Sequence, residues 1–189
     1  MANIDFPSGL RPIRNVNGDF PPAESMDSVS TVLYKGQLAI LSTTGLVGGP
    51  GTSIITSTIA KKCVGVFAEY KAAGAAGPDG SIAKSLVYSD PDQLYVIQSD
   101  DSTTSNLTTT IGRNFELTGM NAGDSLGNST GEINGDTGTS ITTSSVAKVV
   151  QLVAVQKDIN NVLAASTSWT DFVVKINPKF HIRANNLGV

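Results

Sequence analysis

Apolar residues in this chain recur either in alternation or in short unbroken runs, and nowhere as a sustained helical stripe. Residues 31–41 (TVLYKGQLAIL) are apolar and β-branched and end at Gly45 and Gly48-Gly49-Pro50-Gly51, so they read as strand followed by turn. Residues 53–59 and 63–70 form two further runs of the same kind. Residues 82–88 and 94–98 flank Ser89-Asp90-Pro91-Asp92 and are predicted to be two strands joined by a short turn. Phe172, Val174 and Ile176 share one face of a strand while Val173 and Lys175 share the other, the period-2 signature of a sheet. Helix is expected to be scarce. Residues 72–76 are too short and glycine-broken, and residues 157–165 offer one or two turns at most, with Asp158 as N-cap.

Residues 1–30 follow a different pattern. Pro7, Pro12, Pro21 and Pro22 each remove a backbone donor and disfavour helix before them, which predicts an extended arm. Phe6, Leu10, Ile13, Val16 and Phe20 are too many apolar groups for a solvated leash, so the arm is expected to lie on a neighbour or on its own body. Residues 99–145 differ again, being rich in Ser, Thr and Gly. Ile111, Phe115, Leu117, Met120, Leu126, Ile133 and Ile141 recur through them, so short strands joined by long polar loops fit better than a flexible linker. The expected architecture is mainly β: an antiparallel barrel- or sandwich-like body over 31–189, as one unit or as two β subdomains with 99–145 as the loop-rich part, behind an extended arm over 1–30.

Composition narrows the function. Charged residues make up 15% of 189 residues, against roughly 25% in ordinary soluble domains, so Ser, Thr, Asn and Gly must supply solubility. A net charge of −3 and the lack of any Lys/Arg run argue against nucleic acid and against an anionic membrane as partners. The N-terminus has no apolar signal region, and no apolar stretch approaches the roughly 20 residues of a membrane span. Cys63 is the single cysteine, which rules out an intrachain disulfide and, within an apolar strand, points to a packed thiol.

Candidate chemistry is thin. His181 is the only histidine and has no acid beside it, so it reads as a surface or edge-strand residue; it cannot serve a zinc cluster alone. Pairing it with Cys63 as a thiol protease finds no flanking motif. Asp90 with Asp92, and Asp100 with Asp101, look like solvated turns rather than a glycosidase pair. Asn134-Gly135-Asp136-Thr137-Gly138 resembles half a calcium loop but lacks the distant bidentate Glu. The sequence therefore predicts no enzyme, no cofactor and no metal.

Gly9-Leu10-Arg11-Pro12-Ile13-Arg14-Asn15-Val16-Asn17-Gly18 resembles the opening of the head decoration (cement) proteins of tailed bacteriophages. Gly65-Val66-Phe67 with Tyr70, Val87-Tyr88-Ser89-Asp90-Pro91 with residues 94–98, the Gly/Ser/Thr loop Gly123-Asp124-Ser125-Leu126-Gly127-Asn128-Ser129-Thr130-Gly131, and residues 149–158 followed by Val173-Val174-Lys175-Ile176-Asn177 are similar to the family's elements and follow in its order. Residues 31–62 match poorly and residues 132–145 have no clear counterpart.

The resemblance implies a non-enzymatic virion protein, made in the bacterial host cytoplasm, that sits on the capsid exterior. Its partner would be a major capsid protein of the HK97 type, whose capsomers it bridges, and self-association as a dimer or trimer is expected. The arm is the expected anchor, with Phe6, Leu10 and Ile13 as apolar plugs and Arg11 and Arg14 pairing with shell carboxylates. Deleting residues 1–20 should then leave a folded body that no longer stabilises heads. The alternatives are another virion component (tail tube, baseplate or receptor-binding protein) and, from a different class, a small carbohydrate-binding module or hydrolase.

Overall fold

The computed structural model describes residues 7–51, 62–74, 82–100, 111–112, 114–134, 148–156 and 169–184. All regular elements among them are strands: β1 (Arg11–Asn15), β2 (Glu24–Asp27), β3 (Leu38–Leu41), β4 (Val47–Gly48), β5 (Cys63–Phe67), β6 (Lys84–Tyr88), β7 (Gln93–Gln98), β8 (Asn114–Phe115), β9 (Leu117–Thr118), β10 (Glu132–Ile133), β11 (Val150–Val155) and β12 (Asp171–Ile176). They form two five-stranded antiparallel sheets, here called A (order β1-β7-β12-β11-β8) and B (β2-β6-β5-β3-β4), plus the small pair β10-β9. Among the described residues no strand of A pairs with a strand of B, so no barrel closes and the body is sandwich-like.

The period-2 pattern of β12 explains the layering. Phe172, Val174 and Ile176 point inward with Tyr95 and Ile97 of β7 and Val150 and Leu152 of β11, and meet Leu38, Cys63 and Val66 from sheet B. Leu117, Met120 and Ile133, from the β9–β10 region, complete this core. Thus the polar stretch after residue 99 does contain short strands that add apolar residues to the core. A second cluster, with Ala39, Val64, Phe67 and Val87, lies elsewhere on sheet B. Central strand β5 is buried along its whole length, as its unbroken apolar sequence requires.

The structure sharpens three sequence expectations. Residues 84–98 are two strands joined by a short turn, as expected, but they enter different layers: β6 joins sheet B and β7 joins sheet A, so the Asp90–Asp92 turn carries the chain between them. Of the run 31–41, only Leu38–Leu41 forms β3; Leu33 and Lys35 make isolated bridges to Lys71 and Asn128. The arm, from Pro7 onward, belongs to the body. β1 is the edge strand of sheet A and β2 that of sheet B, and Leu10 lies fully buried in the main core. Removing residues 1–20 would therefore take out a strand and a core side chain, and would not leave an intact body. Residues 53–59, 75–80 and 157–165 lie outside the described residues.

The sheet edges are guarded. β1 carries Pro12 and a register shift, β2 carries Glu24 and Asp27, and β4 and β8 are two residues each. Short, charged or proline-bearing edges discourage strand addition.

Candidate docking surface

The face of sheet A away from the main core carries a small apolar cluster whose central side chains are 4–8% exposed. Leu94, Val96 and Val173 project there with Ile13 and Ala154 packed against them. Register sets this arrangement: Val173 stands opposite Val96 on β7 and opposite Ala154 on β11. Two β-bulges frame the patch. On β1 the register slips between Pro12 and Arg14, making Ile13 the extra residue. On β11 it slips between Leu152 and Ala154, making Val153 the extra residue. A bulge bends its strand and re-aims a side chain. Between the two lies a depression of about 480 Å³, lined chiefly by Ile13, Leu94, Val153, Ala154 and Val173, with Arg14 at its rim.

Sequence-expected anchor residues divide accordingly. Phe6 lies outside the described residues. Leu10 is buried in the core and unavailable to a partner while the body is folded. Arg11 pairs with Asp171 across the face at 2.9 Å, an exposed ion pair of small energetic value. Ile13 and Arg14 reach the depression. Arg14 is exposed and makes no ion pair among the described residues. The fully buried Gln93 side chain donates to the Arg14 carbonyl at 3.0 Å, which fixes the backbone after the bulge. The other lining residues, Leu94, Val153, Ala154 and Val173, were missed. Their signal was present as apolar residues on the second face of strands β7, β11 and β12, but only register unites them.

The groups with catalytic potential are arranged differently. Cys63 and His181 are bridged through their backbones, and both side chains are fully buried. The expectation of a surface or edge-strand histidine is thus corrected: His181 lies in no strand and is buried beside the central strand β5. Burial raises the Cys63 thiol to about 12. Burial, and then the Arg183 charge, lowers His181 to about 4. A thiolate–imidazolium pair needs the opposite order of proton affinities. His181 Nδ1 accepts from the Arg183 N–H (3.3 Å) and Cys63 donates to the Gly65 carbonyl (3.7 Å), so neither is directed at the other.

A Ser–Lys constellation that sequence reasoning did not single out also occurs. The Lys71 ammonium donates to Ser28 Oγ (3.0 Å) and to the Val29 carbonyl, and burial lowers its pKa. Ser85 Oγ lies 3.0 Å from Ser28 Oγ, which itself donates to the Ala83 carbonyl at 3.1 Å. The Ser28 proton and both lone pairs are occupied and the residue is buried, so the cluster works as an internal tie between strands. Asp90 accepts from the Asp92 N–H at 2.8 Å, the expected turn. Asp101 and residues 135–138 lie outside the described residues, and among the described residues no three His, Cys, Asp or Glu side chains form a metal-binding group.

His181 gives a testable acid response. Its folded-state pKa is below the unfolded value of about 6.5, so the unfolded chain binds the extra proton and stability falls as pH drops. With His181 at about 4, unfolding free energy should fall by about 2 kcal/mol between pH 7.5 and pH 5. Urea titrations across that range should show the slope in the native chain and its loss in His181→Asn, whose amide oxygen can still accept from Arg183. Equal slopes in the two would remove His181 as the cause.

Comparison of the chain with protein-family models, with curated proteins and with solved structures finds no match.

Proposed function

We propose that this protein is a capsid decoration protein that docks on the exterior of a phage head and ties neighbouring capsomers together. The observation that carries the reading is the bulge-framed apolar depression on sheet A, with Arg14 at its rim. Part of that depression is built by Ile13 and Arg14 of the Gly-Leu-Arg-Pro-Ile-Arg element that supports the family resemblance. An apolar centre beside an unpaired guanidinium suits a protein surface offering one apolar side chain and a carboxylate. A standard interface of about 1,600 Å² per copy is sufficient. Many copies on a symmetric shell then resist internal DNA pressure jointly, because each is held at several points.

The guarded sheet edges favour this reading over a tail-tube subunit that polymerises by extending its sheets. The test is thermal. Heads of the phage that encodes the chain, prepared without it, should release DNA at a lower temperature than the same heads after the purified chain is added back. Identical release curves would count against the proposal.

A further inference from the structure

After β12 the chain leaves sheet A, and residues 177–184 cross to sheet B as a strap of turns. At its start the Asn177 N–H donates to the Val149 carbonyl (2.8 Å), which ties it beside β11. Phe180 then enters the main core, and Ile182 packs against the second cluster on sheet B. Between them His181 bridges Cys63, and the Ile182 N–H donates to the Cys63 carbonyl (2.9 Å). The fold prepares a place for this contact. β6 pairs with β5 only at Val66 and Phe67 before the Asp90 turn carries the chain to sheet A. At Cys63, therefore, β3 flanks β5 on one side and the strap, in place of β6, flanks it on the other. The far end is clamped to edge strand β2: the Arg183 guanidinium donates to both Glu24 carboxylate oxygens (2.8 and 2.5 Å) and to Ser89 Oγ (2.9 Å).

His181 is the weak point of the strap. Its ring is fully buried, and Nδ1 accepts from the Arg183 N–H (3.3 Å), which places the ring proton on Nε2, where it meets no acceptor. A second proton must enter at Nδ1, against the Arg183 N–H, and that bond is lost. The surrounding charges oppose one another. Arg183 repels an imidazolium, Asp90 and Asp92 of the β6–β7 turn attract it, and Glu24 offsets part of the guanidinium. Cys63 on β5, and Tyr95 on β7 beyond it, stay neutral because burial raises both. Burial of the ring, with Arg183, outweighs the two aspartates and lowers His181 to about 4 in the closed strap. Once the strap opens, the ring returns to its ordinary value of about 6.5, so the open form binds protons first and acid favours it.

We propose that residues 177–184 form an acid-released clasp between the two sheets: protonation of His181 frees the strap from β5 while the sheets themselves stay folded. The clasp is independent of the capsid reading.

Cys63 reports on the clasp, because it is the only thiol of the chain and is buried where the strap pairs with β5. Its rate of reaction with dithiodipyridine in the full chain, divided by the rate in urea at the same pH, removes the thiol's own pH dependence and measures opening. The native ratio should rise about 30-fold between pH 7.5 and pH 5, the factor set by the two His181 values. His181→Asn, whose amide oxygen can still accept from Arg183, should show no such rise. Glu24→Gln, at an exposed position, frees the Arg183 end and should raise the ratio about threefold at pH 7.5. A native ratio that stays flat, an equal rise in His181→Asn, or Glu24→Gln labelling no faster than the native chain overturns the proposal. So does a native ratio equal to the global unfolding constant from urea titration at every pH, since the strap would then open only with the whole body.

Discussion

A chain carrying Val153→Asp and Arg14→Glu together is expected to bind heads about 100-fold more weakly than the native protein, or worse, with no loss of fold. Val153 is the bulged residue of β11 and is already 37% exposed, so an aspartate there is tolerated by the folded chain. In a docked complex the same carboxylate would be trapped in the apolar depression without a partner, which commonly removes 2 kcal/mol or more, about a factor of 30. Arg14→Glu reverses the charge of a rim residue that makes no ion pair among the described residues, turning an attraction to a shell carboxylate into repulsion. Co-sedimentation with heads measures the binding and circular dichroism the melting midpoint. Leu86→Asp, an equally exposed apolar position on β6 of sheet B, serves as the control and should bind normally. Equal weakening by the control would show that any added charge is enough, and that the sheet A face is not special.

Gly65→Ala should produce the largest loss of stability from a single methyl group, about 3 kcal/mol or more. Gly65 lies in the centre of β5, and a Cβ there would stand 2.0 Å from the Tyr88 carbonyl oxygen of the neighbouring β6. The obstacle is backbone, so the two strands must separate next to the Val66–Tyr88 pairing. Its φ of 157° adds strain of its own. Gly45→Ala isolates that second contribution, because Gly45 has a positive φ of 82° and open space where the methyl would go. It should lose only about 1 kcal/mol. Urea unfolding of both variants checks the order. A Gly65→Ala chain as stable as Gly45→Ala would mean that β5 and β6 are not this close.

Much of this sandwich can be read in the sequence wherever a strand's local pattern is decisive. The alternation of Phe172, Val173, Val174, Lys175 and Ile176 gave β12 and its inward face, and the unbroken run of residues 63–67 gave a fully buried strand. Burial of Cys63 followed from the same run. What local pattern does not encode is the choice of partner. Nothing in Ser89-Asp90-Pro91-Asp92 tells β7 to leave sheet B, and the proline spacing of residues 7–30 is the same whether the arm lies on another molecule or forms the edges of its own two sheets. Leu10 illustrates the difficulty: an apolar residue in a proline-rich segment suits a plug and a core position equally well, and here it is core. His181 was misread because a lone histidine with no acid beside it suits a surface or an edge, while in the fold it bridges Cys63 through the backbone and is fully buried.

The docking surface was legible only in part. Ile13 and Arg14 stood out through the motif that contains them, but Leu94, Val153 and Val173 are separated from it by 80 to 160 positions. They become one surface through a four-strand register and two bulges, neither of which leaves a mark in the amino-acid string. The Asp124 loop was no more legible. It stood out in the sequence only as a Gly/Ser/Thr loop, and both its capping by Asp124 and the tyrosines that clasp it are set by the fold.

The central claim, that the chain works by laying the outward face of sheet A on a shell, is tested most directly by imaging heads to which the purified protein has been added. The expected result is density for this chain on the head exterior with Ile13, Arg14 and Val153 against the shell. Heads that acquire no density, or density in which the sheet A face looks outward to solvent, would contradict it.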